Sequence, residues 1–216
     1  MDKTHSIHLE ISGPSAMWTR PDTGDAPVSY PAPTYSAVKG IFESILWIQS
    51  VEVVPTKVEI CSPVTYHTYT TNYGGPLRKS KLMNIGSSFQ LLATVLINVC
   101  YRVYADVRLT RTPEGKLSEK TKVWTRSTLS PQHAYQEIFF RRLKRGQNHV
   151  IPCLGWKEFV PNYVGPFHEE TKVCADVNLS IPSMLYQSFS EGLLSKFSPS
   201  FRHDLKIENG ALSYAE

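Results

Sequence analysis

The sequence predicts a protein of the α+β class, and three observations lead to this prediction. Two segments, residues 34–47 and 130–146, have the apolar spacing and the terminal residues of helices. The segments around them are rich in β-branched and aromatic residues, which favour strands. The chain has 216 residues, of which 41% are hydrophobic, and this is enough for a domain with a substantial core.

The N-terminal part is predicted to form a strand, a helix and one or two further strands. His5 to Ile11 alternates between apolar and polar residues, as a half-buried strand does. Thr34 is placed to cap a helix whose apolar stripe continues to Trp47. Val51 to Tyr69 is either a pair of strands or one strand with a break at Pro55.

The C-terminal part is predicted to be mostly strands around the second helix. A long strand is predicted over Leu92 to Leu109, and a charged turn follows over Arg111 to Lys122. After the helix, Ile151 to Val160 and Thr171 to Leu179 are predicted to be strands. Asn209-Gly210 predicts a tight hairpin turn near the C-terminus.

This order of elements is that of a ferredoxin-like (RRM-like) core with an inserted β-hairpin. We expect a single domain over residues 1–216. Within it, we expect a long hairpin, or thumb, at about residues 68–128 and a β-rich C-terminal extension at about residues 165–216.

The second helix is the most informative segment. Ser130 is its predicted N-cap, Pro131 suits the first helical position, and Gly146 suits a left-handed stop. Four residues are expected to face the core: Ala134, Ile138, Phe139 and Leu143. Four basic residues crowd the last turn, which is more than the helix dipole needs: Arg141, Arg142, Lys144 and Arg145.

Positive charge is concentrated in the middle third of the chain. Residues 76–147 hold 14 Lys or Arg and 4 Asp or Glu, whereas residues 1–75 hold 4 and 7. Such an uneven distribution indicates a partner lined by phosphates, since Lys and Arg release counterions when nucleic acid binds. The alternative is a solvated basic face that has no partner.

Several classes of protein are excluded by what the sequence lacks. Met1 is followed by Asp, Lys and His rather than by a secretory signal, and no apolar stretch is long enough to span a membrane, so we expect a cytoplasmic protein. No phosphate-binding loop, catalytic metal motif or zinc-ligand spacing is found, so we expect no cofactor and no metal. Four reduced and mostly buried thiols are expected: Cys61, Cys100, Cys153 and Cys174.

RNA cleavage is the one chemistry that this sequence permits without a metal. The 2′-hydroxyl of RNA attacks the adjacent phosphate once a base removes its proton and a cation stabilises the added charge. His133, in the first turn of the basic helix, is the candidate base. The alternative is a histidine that contacts backbone or phosphate at the start of the helix.

A family resemblance rests on several stretches in order along residues 7–180. One is the run from Val28 to Trp47, preceded by Trp18-Thr-Arg-Pro21, and another is Asn98 to Ala105. The third comprises the basic helix from His133 to Gln147 and the segment from Pro152 to Phe159. Together they resemble the CRISPR-associated subunit five, subtype d, of type I-C Cascade complexes.

The resemblance implies a subunit that binds the 5′ handle of CRISPR RNA, caps the Cascade backbone and contacts the large subunit, and so meets target DNA only indirectly. It also implies a competing role, metal-independent cutting of precursor RNA within the repeat. The positions of the family's catalytic trio hold Leu46, Gln132 and His133 here, so only the histidine is kept. Neither replacement supplies the charge or the proton transfer of the family residues. Binding is therefore the leading interpretation, and an endoribonuclease acting through His133 is the alternative.

The predicted RNA-binding residues are mostly basic. The cations are Arg20, Lys39, Arg78, Lys79, Lys81, Arg141, Arg142, Lys144, Arg145 and Lys157. Trp18, Tyr73 and Trp156 are candidates for stacking on unpaired bases, with core packing as the alternative for each. Trp47 and Phe139 are expected to pack in the core.

Overall fold

The computed structural model describes residues 5–73, 89–189 and 197–214. These residues form eight strands, three α-helices and a short 3-10 helix at Glu114–Lys116. The strands are β1 (His5–Ala16), β2 (Val51–Ile60), β3 (Tyr66–Tyr73), β4 (Phe89–Leu109), β5 (Tyr163–Gly165), β6 (Leu179–Phe189), β7 (Phe197–Glu208) and β8 (Ala211–Ser213). The helices are α1 (Tyr35–Ile45), α2 (Glu119–Ser127) and α3 (Pro131–Lys144).

The strands form one sheet in which each named pairing is antiparallel. Its order is β5-β1-β4-β2-β8-β7-β6, and β3 pairs with β4 off this path. The long strand β4 pairs with β1 along one edge, and with β3 and then β2 along the other. The architecture is therefore a mixed α/β one, with an antiparallel sheet and few helices.

Helices α1 and α3 cover one face of this sheet and enclose the core. Ile7, Leu9 and Ile11 of β1 are fully buried beneath them. The rings of Phe42 on α1 and Phe139 on α3 lie 5.7 Å apart, so the two helices also pack on each other. The predicted core position of Phe139 is confirmed, and helix α1 begins after the predicted cap, because the Thr34 side chain accepts from Ala37 N.

The C-terminal strands β8, β7 and β6 extend the sheet beyond β2. Tyr35 on α1 stacks on Tyr186 of β6 with ring centres 4.1 Å apart, which holds β6 against the helix. The turn predicted at Asn209-Gly210 is confirmed, since it joins β7 to β8 and both residues have positive φ, 49° and 76°. Gly210 also lies against the Cys174 carbonyl, where a side chain would not fit.

Three local predictions are wrong. Residues 151–160 and 171–178 are not strands, because their backbone groups bond to loops and side chains: Leu154 O accepts from Met17 N at 2.9 Å, for example. The predicted charged turn over Arg111 to Lys122 instead contains the 3-10 helix and the start of α2. Ser118 caps α2 by accepting from Thr121 N, a signal already present in the sequence. The four cysteines are free, as expected, but are half-buried rather than buried.

The face of the sheet opposite the helices carries an ionic cluster around one buried carboxylate, which we call the sheet-face clamp: Glu10, Arg102, His168 and Thr171. Glu10 is 2% exposed and accepts from His168 N, His168 Nδ1 and the Thr171 hydroxyl at 2.7–3.1 Å. Arg102 Nε lies 3.5 Å from Glu10, and its guanidinium donates to the His168 and Thr171 carbonyls at 2.7 Å. The clamp therefore fastens residues 168–171 across the sheet.

Desolvation and hydrogen bonding act on the Glu10 carboxyl in opposite directions. Burial alone would raise the pKa of Glu10, but the hydrogen bonds from His168 and Thr171 outweigh it and hold that pKa below its usual value. The carboxylate is thus the form that the fold stabilises.

Among the helices that the structure describes, none is long and apolar enough to cross a membrane.

Candidate nucleic-acid interface

Helix α3 positions the candidate site, and its ends are those predicted. The Ser130 side chain accepts from His133 N at 3.4 Å, Pro131 occupies the first turn, and Gly146 has a φ of 62°. The buried face differs by part of a turn from the prediction. Its residues recur every fourth position: Pro131, Tyr135, Phe139 and Leu143. Ala134 and Ile138 lie at the margin of that face instead, being only partly buried.

The last turn of α3 presents three exposed cations, which we call the basic end: Arg141, Lys144 and Arg145. Within the described ranges, none of the three has an ion pair or a side-chain hydrogen bond. The fourth predicted cation, Arg142, is half-buried, and its guanidinium donates to Ile45 O at 2.9 Å. Arg142 therefore ties α3 to the carbonyl end of α1, where unpaired carbonyls attract a cation.

The other predicted cations divide by their surroundings. Arg20 is partly exposed and is held by Asp22 through two hydrogen bonds of 2.7 and 3.1 Å. Lys39 pairs with Glu52 at 3.3 Å. Lys157 is exposed. Three predicted cations lie outside the described ranges: Arg78, Lys79 and Lys81.

The aromatic candidates have different surroundings from those expected. Trp18 is 2% exposed, and its indole N–H donates to the Tyr101 hydroxyl at 3.2 Å, so its ring is part of the core and cannot reach a base. Trp156 is half-buried and stacks on Phe159 with an interplanar angle of 7°. Trp47, expected in the core, is 55% exposed because α1 ends two residues before it. The side chain of the third stacking candidate, Tyr73, lies outside the described part.

The three positions that correspond to the catalytic trio of the resembled family lie near one another but differ in exposure. The Leu46 side chain is 6% exposed, and its carbonyl accepts from the Tyr135 hydroxyl at 2.5 Å, which joins the end of α1 to the first turns of α3. Gln132 is half-buried, whereas the His133 side chain is 57% exposed. A histidine open to solvent is accessible to a large substrate.

A second histidine accompanies His133, and no pattern in the sequence indicates it. The ring centre of His5, at the start of β1, lies 5.5 Å from that of His133. Gln136, one turn along α3, accepts from His5 Nδ1 at 3.2 Å and donates to Ser6 O at 2.6 Å. The two histidines lie in distant parts of the chain, so only the packing of α3 on β1 brings them together. Within the described residues, no group of three His, Cys, Asp or Glu side chains is arranged to hold a metal ion.

Comparisons with protein families and curated proteins give one consistent result. The model of the subtype-d family of CRISPR-associated proteins (Cas_Cas5) matches residues 6–180. The chain is 29% identical over 181 residues to "CRISPR pre-crRNA endoribonuclease Cas5d" of Thermus thermophilus, covering 83% of this chain and 72% of that protein. It is 27% identical over 172 residues to the protein of the same name from Mannheimia succiniciproducens, covering 73% and 71% respectively.

Several solved structures resemble this chain in fold. A structure described as a CRISPR-associated protein superposes with a TM-score of 0.66 and 18% identity, covering 98% of this chain and 92% of that one. A functionally uncharacterised protein from Streptococcus mutans, SMU1763c, gives 0.65 and 19% with the same coverage. At these identities the likeness concerns the fold alone.

Proposed function

The chain belongs to the Cas5 family of CRISPR-associated proteins, in its subtype d, and we propose from this premise that it binds the 5′ handle of CRISPR RNA as a subunit of a type I-C-like Cascade complex. In this role it caps one end of the backbone of subunits and contacts the large subunit, and it meets target DNA only through them. The proposed setting is the cytoplasm.

The observation that carries this proposal is the basic end of α3. Arg141, Lys144 and Arg145 are exposed cations that no acidic side chain of the described residues neutralises. They are therefore free to replace the counterions of an RNA backbone, and the release of those counterions favours binding. Further phosphate contacts are proposed for Lys157, which is exposed, and for five other cations: Arg20, Lys39, Arg78, Lys79 and Lys81.

We propose the same family architecture for the fold. The order β5-β1-β4-β2 with α1 and α3 on one face supports a ferredoxin-like core. Its elements occur along the chain in the order β1, α1, β2, β4, α3, β5, with β3 inserted before β4 and α2 inserted before α3. The pairing of β3 with residues 89–96 supports a thumb that projects from this core. Strands β6, β7 and β8 support a C-terminal β extension within one domain.

The handle-binding proposal is tested with RNA from the protein's own repeat. Fluorescence anisotropy would compare the 5′ portion of that repeat, at the length retained in mature CRISPR RNA, with a scrambled RNA of equal length. We expect tighter binding of the handle, and weaker binding when Arg141 and Lys144 are both replaced by Ala. Equal binding of the two RNAs by wild type would contradict recognition of a handle, and unchanged binding by the double variant would remove α3 from the interface.

A second candidate function is metal-independent cutting of the precursor RNA, and two observations favour it. The two curated relatives are named as endoribonucleases, and His133 is exposed on α3. Incubating labelled repeat RNA with the protein in EDTA tests this function. Cleavage at one site that disappears in His133→Ala supports the enzyme, and intact RNA with wild-type protein leaves handle binding as the sole function.

A further inference from the structure

Two imidazole side chains lie next to each other at the protein surface: His133, in the first turn of α3, and His5, the first residue of β1. The ring centres of His5 and His133 lie 5.5 Å apart, with the rings inclined at 61°. Both side chains are reached by solvent, His5 partly and His133 at 57% exposure. Two imidazoles at this spacing can each contact one oxygen of the same phosphodiester, given hydrogen bonds of roughly 2.6–3.2 Å.

The hydrogen bonds around His5 fix which of its nitrogens carries a proton. A backbone carbonyl only accepts, so the Gln136 atom 2.6 Å from Ser6 O is the amide nitrogen. The Gln136 oxygen therefore faces His5 and accepts from its Nδ1 at 3.2 Å. A neutral His5 then has its lone pair on Nε2, the nitrogen able to take a proton from a substrate.

His133 has a different neighbour. The Glu137 carboxylate lies 3.9 Å from His133 Nε2, one turn further along α3, which is an ion-pair distance when the ring is protonated. The two imidazoles thus have distinct surroundings, a neutral amide for His5 and a carboxylate for His133. These neighbours decide which role each imidazole is assigned, because a carboxylate is placed to face a proton-donating imidazolium and the amide leaves Nε2 of His5 as the acceptor.

We propose that His5 and His133 form a two-histidine catalytic site for RNA strand cleavage, with His5 as the general base and His133 as the general acid. His5 Nε2 removes the proton of a 2′-hydroxyl, and that oxygen attacks the adjacent phosphorus. The bond from phosphorus to the 5′-oxygen breaks as His133 donates its proton to that oxygen. The products are a 2′,3′-cyclic phosphate and a 5′-hydroxyl, and water later returns both histidines to their starting protonation states.

This proposal rests on the second candidate function and explains how it survives the loss of two family residues. Leu46 has no proton to exchange and is buried, and Gln132 has no charge. His5 supplies from β1 the proton acceptor that the end of α1 no longer provides. The nearby basic end adds cations along the same helix, beginning about 12 Å from His133.

The test uses the full chain and two labelled versions of its repeat RNA, in EDTA. One is ordinary RNA, and the other carries sulfur in place of the bridging 5′-oxygen at the cleaved bond. A thiolate leaves without being protonated, so the sulfur substrate no longer needs a general acid. His5→Ala and His133→Ala are each compared with His203→Ala, which removes an exposed histidine from β7. His5→Asn and melting curves check that β1 remains folded.

We expect wild type and His203→Ala to cleave ordinary RNA at equal rates, and each site variant to be slower by about 100-fold or more. On the sulfur substrate, His133→Ala regains most of the wild-type rate, whereas His5→Ala does not. Rescue of His5→Ala instead would overturn the assigned roles, and full activity of His5→Ala on ordinary RNA would overturn the site.

RNA binding is measured in parallel by anisotropy and separates the two proposals. A wild-type protein that binds handle RNA tightly but leaves it intact overturns the two-histidine site and leaves handle binding standing. A protein that cleaves the repeat without preferring the handle RNA overturns handle recognition and leaves the site standing. Cleavage of a substrate with 2′-deoxyribose at the cut position would contradict the 2′-hydroxyl attack.

Discussion

The basic end of α3 and the sheet-face clamp contain the same kind of cation in opposite surroundings. On the clamp, Arg102 is 17% exposed, lies over the Phe167 ring and faces the buried carboxylate of Glu10. At the basic end, Arg141, Lys144 and Arg145 are exposed, and within the described residues they have no acidic partner. The first arrangement stabilises a loop across the sheet, whereas the second leaves charge available to a ligand.

The difference shows why a count of basic residues overstates a binding surface. Of the 14 Lys and Arg in residues 76–147, several are already paired within the protein. Arg108 lies 3.7 Å from Asp106, while Lys122 and Arg126 each lie 2.7 Å from a glutamate of their own region. The cations that remain unpaired are therefore a better guide to the interface than the net charge.

The largest effect is expected from breaking the clamp. Glu10→Ala leaves Arg102 without its carboxylate and removes the acceptor of His168 N and of the Thr171 hydroxyl. We expect the free energy of unfolding to fall by about 3 kcal/mol, as for removal of one partner of a buried pair. Urea unfolding of the variant measures this, and handle binding of the folded protein should stay close to wild type. A loss below about 1 kcal/mol would place the clamp among ordinary surface pairs.

Acidification tests the same clamp without removing an atom. Because the folded state holds the Glu10 pKa below its usual value, the carboxylate contributes stability above the unfolded pKa, near 4.5, and this contribution is lost as the pH falls through the folded pKa. Wild type should therefore lose more stability than Glu10→Gln as the pH falls from about 5 to the acid transition. Parallel melting curves of the two proteins would contradict this expectation.

Within α3, a smaller loss of stability is expected from one arginine, and a loss of RNA binding is expected from its neighbour. Arg142→Ala removes the hydrogen bond to Ile45 O, and we expect a loss of about 1.5 kcal/mol in unfolding free energy, as for a hydrogen bond from a charged group. Arg141→Ala, at an exposed neighbouring position, should leave stability within about 0.5 kcal/mol and should weaken RNA binding instead. Urea unfolding and anisotropy of both variants separate the two roles, and identical behaviour would remove the distinction.

The smallest effect is expected for Arg20, whose guanidinium is already held by Asp22. Because binding a phosphate requires Arg20 to exchange one anion for another, Arg20→Ala should weaken handle RNA binding by less than about threefold. The double variant with Asp22→Ala is the control, and it should bind no more weakly than Arg20→Ala. A loss of about tenfold in the single variant would place Arg20 at the centre of the interface.

The elements that could be predicted from the sequence are those whose signals are local. Helices α1 and α3 carry their own caps, and the Asn209-Gly210 turn carries its own backbone preference. The segments 151–160 and 171–178 have strand-like composition, but distant groups take their hydrogen bonds, as when the Arg102 guanidinium donates to the Thr171 carbonyl. Composition carries no information about such partners.

In the candidate site, too, features with a local signal could be predicted from the sequence, and contacts between distant residues could not. Exposure of the basic end follows from the periodicity of α3, because the buried residues recur every fourth position. The burial of Trp18 and the role of Arg142 depend on partners that are distant in the chain, so no local pattern indicates them. The pairing of His5 with His133 likewise needs β1 and α3 in their packed positions.

The central claim, that the basic end holds RNA through unpaired cations, is tested most directly by the salt dependence of handle binding. The logarithm of the association constant would be measured against the logarithm of the salt concentration for wild type and for a variant with Arg141, Lys144 and Arg145 replaced by Ala. We expect a slope shallower by about 2 units in the variant, since each lost contact with single-stranded RNA removes roughly 0.7. An unchanged slope would contradict the claim, because the three cations would then make no contact with phosphate.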